Sequence, residues 1–93
     1  MPVKVIIPTP LRPFAAKRES IELEAATVRE ALDSLTTQHA ELRRHLYSDD
    51  GRLRSFVNVY VNDDDIRYLQ NENTPVRDGD TISIVPSIAG GER

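Results

Sequence analysis

Cysteine is absent from the chain. That excludes a disulfide framework, a thiolate metal site and a cysteine nucleophile. Histidine is scarce, and neither His39 nor His45 has a carboxylate or thiol partner at ligand spacing. No apolar run approaches the roughly 20 residues that span a bilayer. The start, Met1-Pro2-Val3-Lys4, lacks the apolar stretch of a secretory signal and passes straight into a strand-like pattern. Charge of one sign is also missing: 12 Lys and Arg stand interspersed among 15 Asp and Glu, for a net charge of −3. No basic stripe emerges to neutralise phosphates. The expectation is a cytoplasmic protein with neither a membrane nor a nucleic acid as partner.

What remains is an ordinary globular composition, 39% hydrophobic and 29% charged over 93 residues. A chain of that size forms one compact domain and buries about 60–65% of its unfolded surface. It supports one core and leaves little room for a deep enzyme pocket. Val3 to Ile7 is a β-rich run with Val3, Val5 and Ile7 on one face. Pro8, Pro10 and Pro13 end it, so 8–13 reads as a turn. Glu19 to Glu24 alternates, with Ile21 and Leu23 facing one way, and a hairpin with the first strand is the simple arrangement. Thr27-Val28-Arg29-Glu30 is a capping box that opens a helix. Val28, Ala31, Leu32 and Leu35 then form one buried stripe. The stripe continues through His39, Leu42 and Leu46, either in the same helix or in a second short helix after Thr36-Thr37.

Ser48-Asp49-Asp50-Gly51 is a loop, and Leu53 to Asn62 contains the strongest strand, with Val57, Val59 and Val61 on one face. Residues 62–65 turn the chain, 66–69 suit a short strand, and 70–75 form a polar loop. Asp78-Gly79-Asp80 is a tight turn before the last strand, Thr81 to Val85. The order β-β-α-β-(β)-β predicts an α+β fold: a mixed sheet of four to five strands covered on one face by one main helix. The valines, isoleucines and leucines of the strands should meet the helix stripe. The opposite face stays open and carries Phe56, Tyr60, Ser83 and Val85. Either these form a protein-docking patch, or they are the scattered exposed apolar residues common on any surface.

Other constellations carry less. Asp63-Asp64-Asp65 lacks the alternate spacing and downstream Glu of a calcium loop, so a strand-end turn explains it better. His39 and His45 fit solvation near a helix C-terminus. Ser20, Ser34, Ser48, Ser55, Ser83 and Ser87 lack the context of a nucleophile elbow. Arg43, Arg44, Arg52 and Arg54 form a modest basic cluster, either a solvated face or a contact for an acidic rim on a partner.

After the last strand come Pro86-Ser87-Ile88-Ala89-Gly90-Gly91-Glu92-Arg93. A Gly-Gly pair adds backbone freedom and no side chain, which suits a thread more than a structural element. It lacks the spacing of a phosphate loop and no helix follows it. Residues 87–93 therefore read as a flexible tail on a domain spanning 1–86, with roughly 17 Å of reach from Ser87 to Gly91 when extended.

The segment from Asp78 to Gly91, D-G-D-T-I-S-I-V-P-S-I-A-G-G, resembles the C-terminal signature of the ThiS/MoaD family of ubiquitin-like sulfur carriers. Val61-Asn62 followed by acidic residues is similar to the end of a strand in that family. Residues 56–63 and 7–13 resemble its CysO-type branch, which serves cysteine biosynthesis, and the similarity covers most of the chain. The resemblance implies a β-grasp (ubiquitin-like) fold and a carrier, not an enzyme. It implies that a ubiquitin-activating-like adenylyltransferase uses ATP and Mg²⁺ to adenylate the carboxylate of Gly91, with Gly90 beside it. The carrier itself holds no cofactor. A sulfur donor then displaces AMP and leaves a thiocarboxylate. Its acceptor would be a cysteine synthase-like enzyme or, in the other branches, a molybdopterin synthase large subunit or the thiazole chemistry of thiamine. Phe56, Tyr60, Val85, Ile88 and Ala89 are the expected docking residues. Simple members of the family end at Gly-Gly, whereas Glu92-Arg93 follow here, so a JAMM-type protease is expected to cut after Gly91. A protein modifier conjugated through Gly91, or a β-grasp interaction module with an incidental tail, are the alternatives.

Overall fold

In the computed structural model, residues 2–86 are described. The expected tail over 87–93, with Ile88, Ala89, Gly90 and Gly91, lies outside them. Alternation sets the first hairpin: β1 (Val3–Ile6) pairs antiparallel with β2 (Ser20–Leu23), Val5 opposite Ile21. Their inward residues, Val3, Val5, Ile21 and Leu23, are all buried. The segment between them is not a plain turn. Thr9–Ala15 forms a 3-10 helix that buries Leu11 and Ala15. Proline holds φ near −65°, which suits a helical first turn as well as it suits a β-turn. The sequence showed the prolines, but Leu11 as an anchor decides between the two.

Helix α1 (Val28–Gln38) opens as its capping box demands, Thr27 Oγ1 accepting from the Glu30 N–H at 3.2 Å. The Glu30 carboxylate reaches back one residue further than expected, to the Ala26 N–H at 3.0 Å. The helix runs through Thr36-Thr37, which cost it little, with the buried Thr36 hydroxyl satisfied by donating to the Leu32 carbonyl at 2.9 Å. It stops at His39, and α2 (Glu41–Leu46) follows as the separate short helix. Val28, Ala31, Leu32, Leu35 and Leu46 are fully buried. His45 is not simply solvated: its ring stacks on Phe14 at 4.2 Å and ties α2 to the 3-10 segment.

Strand β3 (Val57–Val61) is shorter than the run from Leu53 suggested. Asn62-Asp63 makes a tight turn, with Asn62 at φ +57°, into β4 (Asp64–Asp65), the two residues read as part of the turn. The short strand expected at 66–69 is a 3-10 turn, Ile66–Tyr68, because the Asp65 carboxylate caps it by accepting from the Arg67 N–H at 2.8 Å. A second such turn, Asn71–Asn73, lies in the polar loop. Strand β5 (Thr81–Pro86) takes the centre of a five-stranded sheet of order β2-β1-β5-β3-β4, parallel to β1 and antiparallel to β3. The helices cover one face, as the α+β order predicted.

Tyr47, just after α2, was not among the expected core residues, yet it is buried and its hydroxyl donates to the Glu72 carboxylate at 3.0 Å. Burial first, then the Glu72 charge and hydrogen bond, push its pKa well above the ordinary value of 10.0. A raised tyrosine pKa means stability that is fully present below the unfolded value and lost as pH rises toward the folded one. The melting temperature should therefore fall above pH about 10, and fall less steeply in Tyr47→Phe. At neutral pH that variant should lose about 0.5–1.5 kcal/mol for the hydrogen bond. Parallel pH curves for the two proteins would contradict the assignment.

Candidate functional site

Glycine at position 79 is required by backbone shape, since it sits at φ +90° in the turn before β5. That turn is closed by the Asp80 N–H on the Arg77 carbonyl at 3.0 Å and by the Asp80 carboxylate accepting from the Arg77 N–H at 2.9 Å. Asn62, at the end of β3, locks onto it. Its Oδ1 accepts from the Thr81 N–H at 3.2 Å and its Nδ2 donates to Asp80 at 3.3 Å. On the other side the Lys4 N–H donates to the Asp80 carbonyl at 2.9 Å. The Val-Asn and Asp-Gly-Asp motifs are thus one knot that sets the register of β5 against both neighbours. Register at the start of β5 fixes where Pro86 ends, opposite Val57, and hence the root of everything that follows.

The open face of the sheet is assembled by these pairings. Tyr60 lies opposite Ser83 and Asn58 opposite Val85, while Ser83 is flanked on its other side by Ile6 of β1. Val85 is 45% exposed, and Tyr60 and Ile6 are half-buried. Phe56, 40% exposed, precedes β3 in a turn closed by the Val57 N–H on the Arg54 carbonyl at 2.9 Å. It therefore stands beside the Val57–Pro86 pair at the end of β5, outside the strand alternation. Of the expected docking residues, the structure brings Tyr60 and Val85 onto one face with Phe56 at its margin. Ile88 and Ala89 lie outside the described residues, as do Gly90 and Gly91.

Ile6 was missed as part of this face. Alternation in β1 turns it outward, but only the parallel β1–β5 pairing places it beside Ser83, and no local sequence signal reports that pairing. Arg67 was missed too: it binds Asn58 and Asp65 at the β3–β4 edge, with the Asp65 carboxylate at 3.0 Å. The Arg67 side-chain hydrogen bond, helped by its backbone N–H, holds the Asp65 carboxyl below the usual range. On the helix-covered side of that edge lies a cleft of about 440 Å³, lined by residues 52–55, Val57, Val59, residues 65–67, Asn71 and Glu72. Among the described residues no group of three or more His, Asp or Glu is placed to hold a metal ion. Nor is any described helix long and apolar enough to cross a membrane.

The sequence matches the ThiS family over residues 5–91. It is 37% identical over 93 residues to the sulfur carrier protein CysO of Mycobacterium tuberculosis, covering 98% of this chain and 100% of that protein. It is 34% identical over 89 residues to small archaeal modifier protein 3 of Haloferax volcanii, covering 87% and 96% of the two chains. Its structure is similar to a chain in the crystal structure of the Amycolatopsis orientalis BexX/CysO complex. There the TM-score is 0.87 at 42% identity, over 96% of this chain and 99% of that one. The fold is the ubiquitin-like β-grasp.

Proposed function

This chain belongs to the ThiS family and is a sulfur carrier, and from that premise we propose that its sulfur travels as a thiocarboxylate on Gly91. A carboxylate is a poor electrophile, so activation comes first. A partner adenylyltransferase, with its own ATP and Mg²⁺, joins the Gly91 carboxylate to AMP and releases pyrophosphate. A sulfur donor of the sulfide class attacks the acyl carbon, AMP leaves with the oxygen it was joined through, and C(=O)S⁻ remains. The chain brings the reacting carboxylate and no other group to these steps; the rest of its part is to fix the root of the tail and to dock. The observation that carries the reading is the whole-length similarity to CysO together with the Asn62–Asp80–Thr81 knot that sets β5.

Cysteine biosynthesis is the pathway this similarity favours, with a cysteine synthase-like acceptor ahead of a molybdopterin synthase large subunit. Docking of the folded domain on a second protein is supported by the similar CysO having been crystallised in complex with BexX. A JAMM-type protease removing Glu92 and Arg93, and a cytoplasmic setting where ATP is supplied, complete the proposal. The similarity to an archaeal modifier protein favours a second use, ligation of the same activated carboxyl to a lysine. Intact-mass analysis of the chain ending at Gly91, after incubation with its adenylyltransferase, ATP, Mg²⁺ and sulfide, separates these. A carrier gains one sulfur in place of one oxygen, whereas a modifier yields conjugates of higher mass that survive reduction. No change at all would sink both.

The docking face has its own test. Asp65 stands directly across from Tyr60, so a new acid at 60 would bring a like-charge pair into the sheet. Val85 is the cleaner probe, being 45% exposed and opposite the neutral Asn58. Val85→Asp should raise the carrier concentration needed for half-maximal adenylation by about tenfold or more, as burial of an unpaired charge in an interface does. Its melting curve should stay close to wild type. Unchanged kinetics would remove the open face from the interface.

A further inference from the structure

The basic cluster at Arg43, Arg44, Arg52 and Arg54 has no part in the chemistry above, and the fold divides it, with Arg52 and Arg54 on one cleft and Arg43 and Arg44 outside it. Arg54 Nε donates to the Arg44 carbonyl at 2.8 Å, which draws the end of α2 against the approach to β3. Arg52 and Arg54 then stand on the rim of the cleft with Arg67, while Leu53, Val57, Val59 and Ile66 supply its apolar lining. The volume, about 440 Å³, falls within the roughly 300–1,000 Å³ typical of ligand clefts.

Its charge is unbalanced. Three guanidinium groups line it against two carboxylates, and both carboxylates are engaged within the fold. Asp65 is held by Arg67 and by the Arg67 N–H. Glu72 accepts from the Tyr47 hydroxyl. Arg52 has only a loose contact with Asp50 at 3.9 Å, both side chains well exposed, and such pairs contribute little. With Arg67 matched by Asp65, Arg52 and Arg54 stand against Glu72, and a protein of net charge −3 turns a partly apolar groove with one net positive charge outward at this end.

The groove also follows an unfinished sheet edge. Strand β4 pairs only with Tyr60 and Val61, so among the described residues 57–59 have no strand neighbour on that side. Since the Asn62 N–H donates to the Thr81 carbonyl at 2.7 Å, the even positions of β3 bond toward β5. Val57 and Val59 accordingly turn their backbone groups toward the cleft; the Val57 N–H is already donated to the Arg54 carbonyl, so an added strand pairs through the Val57 carbonyl and Val59. A round small molecule would leave that edge unused, whereas an extended peptide uses edge, arginines and apolar lining together. The place matters as well. Val57 is paired with Pro86, so the cleft lies one strand away from the last described residue.

We propose that the Arg52–Arg54–Arg67 cleft is a docking site for an extended acidic segment of the adenylating partner, which lies along 57–59 with an apolar side chain seated over Val57 and Ile66. This rests on the carrier reading. Carboxylates flanking the apolar residue pair with the guanidiniums, which steers the encounter and fixes the register of the domain on the enzyme. Arginine suits this role through its planar, bidentate geometry. Contacts of this kind near the rim weaken with salt, which suits a carrier that must leave its activator and go to an acceptor.

The test has two arms, the first on the full chain and the second on the chain ending at Gly91. In the first, nitrogen-15 spectra follow titration with a capped pentapeptide, a valine flanked on each side by two acidic residues. Amides of 52–59 and 65–72 should shift, with the dissociation constant rising about tenfold in Arg52→Glu and with added salt. Arg52→Glu touches an exposed side chain, and Arg54→Gln provides a second, neutral variant. No shifts at millimolar peptide, equal shifts from the lysine counterpart, or equal shifts from a short oligothymidylate would each overturn the proposal. The last would mark a phosphate-backbone site instead. In the second arm the adenylating enzyme is assayed at low salt. Arg52→Glu should raise the half-saturating carrier concentration about tenfold while leaving the maximal rate unchanged. Wild-type adenylation insensitive to Arg52 and Arg54 overturns the cleft and leaves the carrier reading standing. Failure of the wild type to be adenylated counts against the carrier reading, and the peptide arm then decides the cleft.

Discussion

A chain ending at Gly91 is expected to acquire sulfur at least ~10²-fold faster than the same chain carrying Glu92 and Arg93, because displacing the reacting atom by even 1 Å costs about that much. With the two residues attached, the terminal carboxyl belongs to Arg93, two residues beyond the position the family resemblance assigns to the reaction. The arginine side chain must also enter a channel suited to backbone without Cβ. The measurement is a time course of intact mass with the adenylyltransferase, ATP and sulfide, for both forms and for Gly91→Ala. Gly91→Ala on the shortened chain should be slow as well, since it puts a methyl group beside the acyl carbon. If the longer chain gains sulfur as quickly with Glu92-Arg93 still present, processing is unnecessary and the working end of the tail has been misplaced.

The second large effect is on the fold. Leu35→Ala should destabilise the domain by about 2–5 kcal/mol, the range for emptying a fully buried leucine site. Leu35 has no exposed surface and belongs to the α1 stripe within the common core. Domains of this kind hold only about 5–15 kcal/mol in total, so the loss should be plain in a denaturation curve. Leu69→Ala, at an exposed leucine in the loop after β4, should stay within about 0.5 kcal/mol of wild type. Similar losses for both would mean that the helix stripe is not what closes the sheet.

Much of this was legible before any coordinates. Val57, Val59 and Val61 announce a half-buried strand by alternation, and Thr27 with Glu30 announces the start of α1. Both are local signals whose physics is complete within a few residues. The α+β order followed from them. The Asp78 to Gly91 signature pointed to the tail as the working element and to the family, though it did not explain itself. Only the structure shows that Asp80 matters because Asn62, many residues away, donates to it.

What stayed hidden depends on partners distant in sequence. Thr9–Ala15 carries the residues of a turn, and its 3-10 shape follows from Leu11 and Ala15 reaching the core. Two acidic residues make up β4, the reverse of a strand composition; they pair because the tight Asn62-Asp63 turn leaves them beside Tyr60 and Val61. Tyr47 found its place through Glu72. The arginine cleft is the clearest case, since the sequence shows a cluster of four arginines but not that only Arg52 and Arg54 line the groove, where Arg67 joins them across the sheet edge.

The position of β5 has a mechanical consequence. It is the middle strand, bonded to β1 on one side and β3 on the other. An enzyme that grips the tail and pulls along the strand axis loads both ladders in shear, so their hydrogen bonds resist together. An edge strand would peel away one bond at a time. A load applied at Pro86 is therefore shared by both neighbours of β5, and on the proposed function the domain would stay folded while a partner enzyme holds the residues beyond it.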